Sequence, residues 1–121
     1  MNVSELAPKA GEAEGFLKAL ANRHRLMILC QLHDGELSVT ALQQALGLSQ
    51  SSLSQHLARL RADEVVKTRR SSQSIYYSIS NPAVSGVMAV LYDRFCSDQR
   101  ASAKKRPPVK ARRGPAKAIA K

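Results

Sequence analysis

From Glu36 to Ile79 the chain reads ELSVTALQQALGLSQSSLSQHLARLRADEVVKTRRSSQSIYYSI, and the order of its signals admits few arrangements. It predicts two short helices joined by a tight turn, followed by a basic hairpin. Val39, Leu42, Ala45 and Leu46 recur at helical spacing, and Gly47 falls where a left-handed cap would end the first helix. Ser49 can then cap a second helix, in which Leu53, Leu57 and Leu60 form an i, i+4, i+7 stripe that faces a core. With Leu53 and Leu57 inward, the step of about 100° per residue sends Ser51, Ser54, Gln55 and Ala58 outward, flanked by Gln50 and Arg59. Short hydroxyls and amides suit a helix lying in a major groove, where an amide pairs bidentately with adenine and a hydroxyl serves a base edge or a phosphate. His56 is set to contact its neighbours or DNA.

The hairpin supplies charge. Val65-Val66-Lys67-Thr68 and Ile75-Tyr76-Tyr77-Ser78-Ile79 are rich in β-formers, with Ile75, Tyr77 and Ile79 alternating as one buried face. Arg69, Arg70, Ser71, Ser72, Gln73 and Ser74 lie between them and are expected to form the tip. Two arginines and no acid there, with Lys67 behind them, can reach phosphates or a minor groove and add affinity that falls with salt. Each feature alone would pass for an ordinary solvated surface. Together they make a recurring DNA-docking arrangement.

The chain has 121 residues, 44% of them hydrophobic, and no apolar run near the length of a bilayer span, which bounds it to one small domain plus tails. The domain is expected over 12–98, after a flexible N-terminus at 1–11 and before a basic tail at 99–121. The N-terminus carries acids and no apolar h-region, so neither a secretory signal nor a transit peptide is read there and a cytoplasmic, nucleoid-associated location is expected. Three Tyr, two Phe and no Trp leave little for an aromatic single-strand stacking surface. The net charge of +10 is concentrated at one end: residues 1–99 hold ten Lys/Arg against nine Asp/Glu, while Arg100–Lys121 holds nine bases and no acid. That tail has three prolines and few large apolar groups, so disorder and sequence-independent attraction to nucleic acid are expected of it.

Upstream, Ala13–Leu20 and Arg23–Leu32 read as helices, the second capped by Asn22. Downstream, Pro82 opens a helix in which Val84, Val87, Met88, Leu91 and Phe95 repeat at helical spacing over a wide apolar arc. A domain of this size has limited core to cover both terminal helices, so a symmetric homodimer through the first and last helices is expected, reading two halves of a near-palindromic duplex operator.

These residues resemble the ArsR family of bacterial winged-helix repressors from about Phe16 to Cys96, through LKALANRHRLMILCQL, GELSVTALQQALGLSQSSLSQHLARLRADEVV and a wing ending IYYSI. The resemblance implies a mainly α fold with a β-hairpin wing (α+β), a winged helix-turn-helix homodimer that represses an operon until an inducer releases it. It places Gln50, Ser51, Ser54 and Gln55 at DNA-reading positions. The wing departs slightly, with Ser71-Ser72 where the family often has glycine.

Many members of the family sense metals through a cysteine pair where this chain has Ser38 and Thr40, and hydroxyls do not replace thiolates for soft metals. Another family site uses acids and histidines in the last helix, yet Pro82–Ser97 offers only Asp93. No metal or other cofactor is expected at either site. The two cysteines, Cys30 and Cys96, are placed as in the dithiol, persulfide- and sulfide-responsive branch of the SqrR and BigR type. That likeness implies a disulfide or polysulfide bridge on exposure to reactive sulfur species, the inducer, with loss of DNA affinity. Arg94 and His33 are near enough in sequence to lower a thiol pKa. Two other readings stay open: Cys30 as a small buried hydrophobe after Leu26-Met27-Ile28-Leu29, and Cys30, His33 and Cys96 as ligands for a soft metal or arsenite.

The chain therefore reads as a DNA-binding repressor switched by Cys30 and Cys96. An anti-repressor and a nucleoid-binding architectural protein acting through the tail are the alternatives. No Ser/His/acid set, phosphate loop or metal triad points to an enzyme.

Overall fold

The computed structural model describes the backbone of residues 1–104 and the side chains of residues 1–96. In chain order the elements are α1 (Val3–Leu6), a 3-10 turn (Ala7–Lys9), α2 (Ala10–Leu20), α3 (Arg23–Leu32), β1 (Leu37–Ser38), α4 (Val39–Leu46), α5 (Gln50–Ala62), β2 (Val66–Ser71), β3 (Ser74–Ile79) and α6 (Pro82–Lys104). Helix starts follow the sequence closely. Asn22, Ser38 and Ser49 all sit in extended backbone and accept N–H bonds one turn into α3, α4 and α5 respectively. Gly47 ends α4 at φ 67°, a left-handed conformation that any Cβ would strain.

The core is the meeting place of these helices. Ile28, Leu29 and Leu32 of α3, Leu42 of α4 and Leu53, Leu57 and Leu60 of α5 are buried together with Val65, Val66, Val84 and Met88. Each α5 leucine removed from water contributes about 1.5–3 kcal/mol, enough to fix which face of that helix looks outward. Ile75, Tyr77 and Ile79 of β3 are all half-buried, and of these Tyr77 and Ile79 pack against this core.

The strands form one antiparallel sheet in the order β1-β3-β2. Ser71 pairs with Ser74, so the turn is Ser72-Gln73 alone, with Ser72 at φ 55°. A two-residue loop whose first position has positive φ matches the twist of a hairpin. Arg69 and Arg70, expected at the tip, instead lie inside β2, paired with Tyr76 and Ile75. The ladder runs to the turn because one face of an antiparallel pair can remain in water.

Residues 1–11 take helical turns, with Asn2 capping α1; all their side chains are exposed, so no buried stripe marks them. At the other end α6 runs from Pro82 through Lys104, so its last turns fall within 99–121, the stretch expected as the tail. The rest of that tail lies outside the described residues.

Polar contacts tie α3 to its neighbours. Arg25 donates from Nε to the Ala19 carbonyl at 2.7 Å and from Nη2 to that of Lys18 at 3.2 Å, satisfying carbonyls at the end of α2. The His24 ring of α3 and the His56 ring of α5 stand 5.4 Å apart, centre to centre. Partial burial, then the Arg25 cation and His24, hold the His56 pKa below the ordinary histidine value. A base whose pKa is depressed by folding stabilises the fold fully above its unfolded value, near 6.5, and that contribution is lost as pH falls through the lower folded value. Urea unfolding should therefore show the wild type losing more stability between neutral pH and about pH 5 than His56→Asn does; equal losses would exclude His56 as the source.

Candidate nucleic-acid interface

Because Leu53, Leu57 and Leu60 are buried, the opposite face of α5 is presented to solvent: Gln50, Ser51, Ser54, Gln55 and Ala58 are all exposed. A groove of about 640 Å³ runs between this helix and the wing. Gln50, Ser54, Ala58 and Arg61 form its α5 side, Gln73, Ser74 and Ile75 its wing side, and Thr40 of α4 contributes as well. Amides, hydroxyls and one guanidinium thus converge where a polyanion with donor and acceptor edges would be complemented. Arg61 is a residue the sequence reading misses. Its signal was available, since Gln50, Ser54 and Arg61 stand at i, i+4 and i+11 on one helix face.

The remaining candidates divide sharply. His56 is half-buried and turned to His24 of α3 rather than placed on the outward face. Arg59 donates from Nε to Asp63 Oδ2 at 2.6 Å, so an acid one turn along already holds it. On the wing, Lys67, Arg69 and Ser71 alternate with Thr68 and Arg70 and therefore occupy opposite faces of β2. Arg70 shares a face with its partner Ile75 and with Tyr77, the side that borders the groove. Arg69 shares the other face with Tyr76, its guanidinium 4.6 Å from the ring centre. There Arg69 donates from Nε to both carboxylate oxygens of Glu36 at 3.2 Å and from Nη2 to Oε1 at 2.5 Å. That bonding holds the Glu36 carboxyl below its ordinary range and raises Arg69. Among the described residues Arg61, Lys67 and Arg70 form no ion pair.

Ser38 is occupied as the cap of α4, its Oγ accepting from the Ala41 N–H at 3.0 Å. Cys30 is exposed on α3 and Cys96 half-buried on α6, neither is in a disulfide, and the two helices pack against each other. The buried-hydrophobe reading of Cys30 is thereby corrected: Ile28 and Leu29 take the inward positions, leaving Met27 and Cys30, three residues apart, on the outward side. Arg94 lies over the Phe95 ring at 5.0 Å and is two residues from Cys96, a spacing that does not share a helix face. His33 Nδ1 stands 3.7 Å from Asp34. Among the described residues no three His, Cys, Asp or Glu gather as metal ligands, so Cys30, His33 and Cys96 do not form the set offered for a soft metal. No helix among those residues is long and apolar enough to cross a membrane.

Comparison with known proteins gives a consistent result. Residues 22–68 match the bacterial regulatory protein, ArsR family. The transcriptional activator HlyU of Vibrio cholerae is 46% identical over 96 residues, 79% of this chain and 89% of HlyU. The structure of reduced HlyU from the same organism superposes with a TM-score of 0.72 over 76% of this chain and 97% of that one. The nodulation protein NolR of Rhizobium meliloti is 51% identical over 86 residues, 71% of this chain and 70% of NolR. The transcriptional repressor BigR of Xylella fastidiosa superposes with a TM-score of 0.75 at 36% identity, over 79% of this chain and 98% of BigR. With relatives this similar over most of their length, and with a helix-turn-helix followed by a hairpin wing, this chain belongs to the ArsR family of bacterial regulatory proteins.

Proposed function

We propose that this chain is a dimeric, DNA-binding transcriptional repressor that leaves its operator when Cys30 and Cys96 are joined by reactive sulfur. The observation that carries the reading is the exposed polar face of α5, Gln50, Ser51, Ser54 and Gln55, standing beside a wing groove that also holds Arg61. In this reading the amides and hydroxyls read base edges, while Arg61 and Arg70 neutralise phosphates.

Dimerisation is supported by apolar surface that a monomer leaves wet. Leu6 and Leu17 border an apolar trough along α1 and α2, with Leu17 55% exposed, and α6 exposes Val90, Tyr92 and Phe95, the last at 71%. Pairing copies through these helices would set two α5 helices for two half-sites of a near-palindrome.

The switch uses thiol chemistry. A Cys30 thiolate attacks the terminal sulfane sulfur of a polysulfide, expelling the shortened polysulfide anion and leaving Cys30–S–SH. The Cys96 thiolate then attacks the inner sulfur, forms the Cys30–Cys96 disulfide and releases HS⁻. Support comes from the exposure of Cys30, the partial exposure of Cys96 and the packing of α3 on α6. HlyU, which is named an activator, keeps an anti-repressor as the second reading. A reporter fused to the regulated promoter separates them: deletion of the gene raises expression under repression and lowers it under anti-repression.

Gln55→Ala should weaken binding to a palindromic duplex selected from random sequence by about 1–3 kcal/mol and relax preference at one base pair per half-site, read by mobility shift on single-base variants. A uniform change across all variants would count against base reading. Phe95→Glu should sediment as a monomer and lose about 100-fold in operator affinity as the paired half-sites uncouple. Polysulfide treatment should abolish the shift in the wild type and yield a Cys30–Cys96 linked peptide by mass spectrometry, while Cys30→Ser keeps binding. Loss of binding in both proteins would sink the dithiol switch.

A further inference from the structure

We infer that Glu36 is a positioning residue for DNA binding: it holds Arg69 on the outer face of the wing, away from the duplex, and leaves Arg70 as the wing guanidinium that neutralises a phosphate. This rests on the DNA-binding reading above. Ser38, Tyr76 and Arg69 stand in one row across the three strands, and Glu36 lies two residues before Ser38, on the same side. The Glu36 carboxylate therefore spans the sheet from the β1 edge to β2. It engages Nε and Nη2 of Arg69 together, while the Tyr76 ring lies against the same guanidinium at 4.6 Å. A two-pronged ion pair and an aromatic plane fix the group from two directions.

The neighbouring arginine is in the opposite situation. Arg70 projects from the other face of β2, beside Ile75 of the groove, and has no ion pair among the described residues. Two adjacent residues of one type thus receive different roles from a single acid. Their Cα atoms are about 3.8 Å apart, so a released Arg69, on a flexible stem near the turn, reaches the same stretch of phosphates. Glu36 then limits how many phosphates the wing neutralises, and so limits the sequence-independent part of binding.

Counterion release makes the number of phosphate contacts measurable, because each adds about 0.9 to the slope of log affinity against log salt on duplex DNA. The full chain is titrated with a duplex of arbitrary sequence over a salt series, by fluorescence anisotropy. Arg70→Gln should lower the slope by about 0.9, Arg69→Gln should leave it unchanged, and Glu36→Gln should raise it by about 0.9. The double variant Glu36→Gln/Arg69→Gln should return to the wild-type slope. An Arg69→Gln slope as low as that of Arg70→Gln would overturn the inference, since Arg69 would then leave Glu36 for DNA. So would a Glu36→Gln protein that binds more weakly by the same factor at every salt concentration, the mark of a purely structural prop. A wild type without salt-dependent duplex binding would instead remove the DNA-binding reading itself, and this inference with it.

Discussion

The seating of α5 decides which of its side chains a partner can meet. Leu53, Leu57 and Leu60 are buried among side chains of α3 and α4, and a helix anchored by three leucines on one stripe has no freedom to roll. Rotation by one residue would take a leucine into water and bury a serine or glutamine without a partner, two costs of the same sign. The outward set is therefore a consequence of the core. The caps at Ser49 and Gly47 add registration along the axis, because they fix where α5 begins relative to the end of α4.

The same reasoning explains what the sequence makes legible. Period and capping read α3, α4 and α5 correctly because both are local: α3 and α5 each bury a stripe, and α4 buries Leu42 between partly buried Val39 and Leu46. The roles of the cations are only partly local. Arg59 is neutralised by Asp63 one turn along, but Arg69 is neutralised by Glu36, 33 positions away, which only the sheet register brings close. His56 follows the inward-leaning side of α5 toward His24, a contact that requires knowing how α3 crosses it. Arg69 and Arg70 are misplaced at the tip because a run of Arg and Ser carries weak strand preference, while the ladder continues on backbone bonds regardless of side chain. Arg61, by contrast, was readable from helical spacing. The helices of residues 3–9 have no buried side chain, so hydrophobic pattern is silent about them.

Acids on this surface decide which bases are available. With Arg59 and Arg69 taken up, the cations on the groove side that form no ion pair among the described residues are Arg61 on α5 and Arg70 on the wing. Exposed pairs of this kind contribute little to folding, commonly below about 1 kcal/mol, so their effect on stability is small. Their effect on a polyanion is larger, because each paired cation is one fewer counterion displaced on binding. Composition alone describes a strongly basic chain, but under the proposed reading the charge the folded domain offers to a polyanion is a few guanidinium groups sorted by geometry.

Under the proposed switch, a bond made at Cys30 and Cys96 must alter a helix that carries neither cysteine. α3 is the element both sites share: it bears Cys30, packs on α6, which bears Cys96, and packs on α5. Its contacts with α5 are of two kinds, the buried leucine stripe and the exposed-edge polar group of His24, His56 and Arg25. The buried part resists gradual deformation, because close-packed side chains move between discrete arrangements rather than sliding. A covalent link between α3 and α6 would therefore act most easily by shifting α3 as a unit relative to α5, changing how two recognition helices of a dimer are spaced rather than what each one reads. The edge of His24, His56 and Arg25 is the part of that contact outside the close-packed core, so under this switch it is where a shift would be absorbed within one subunit.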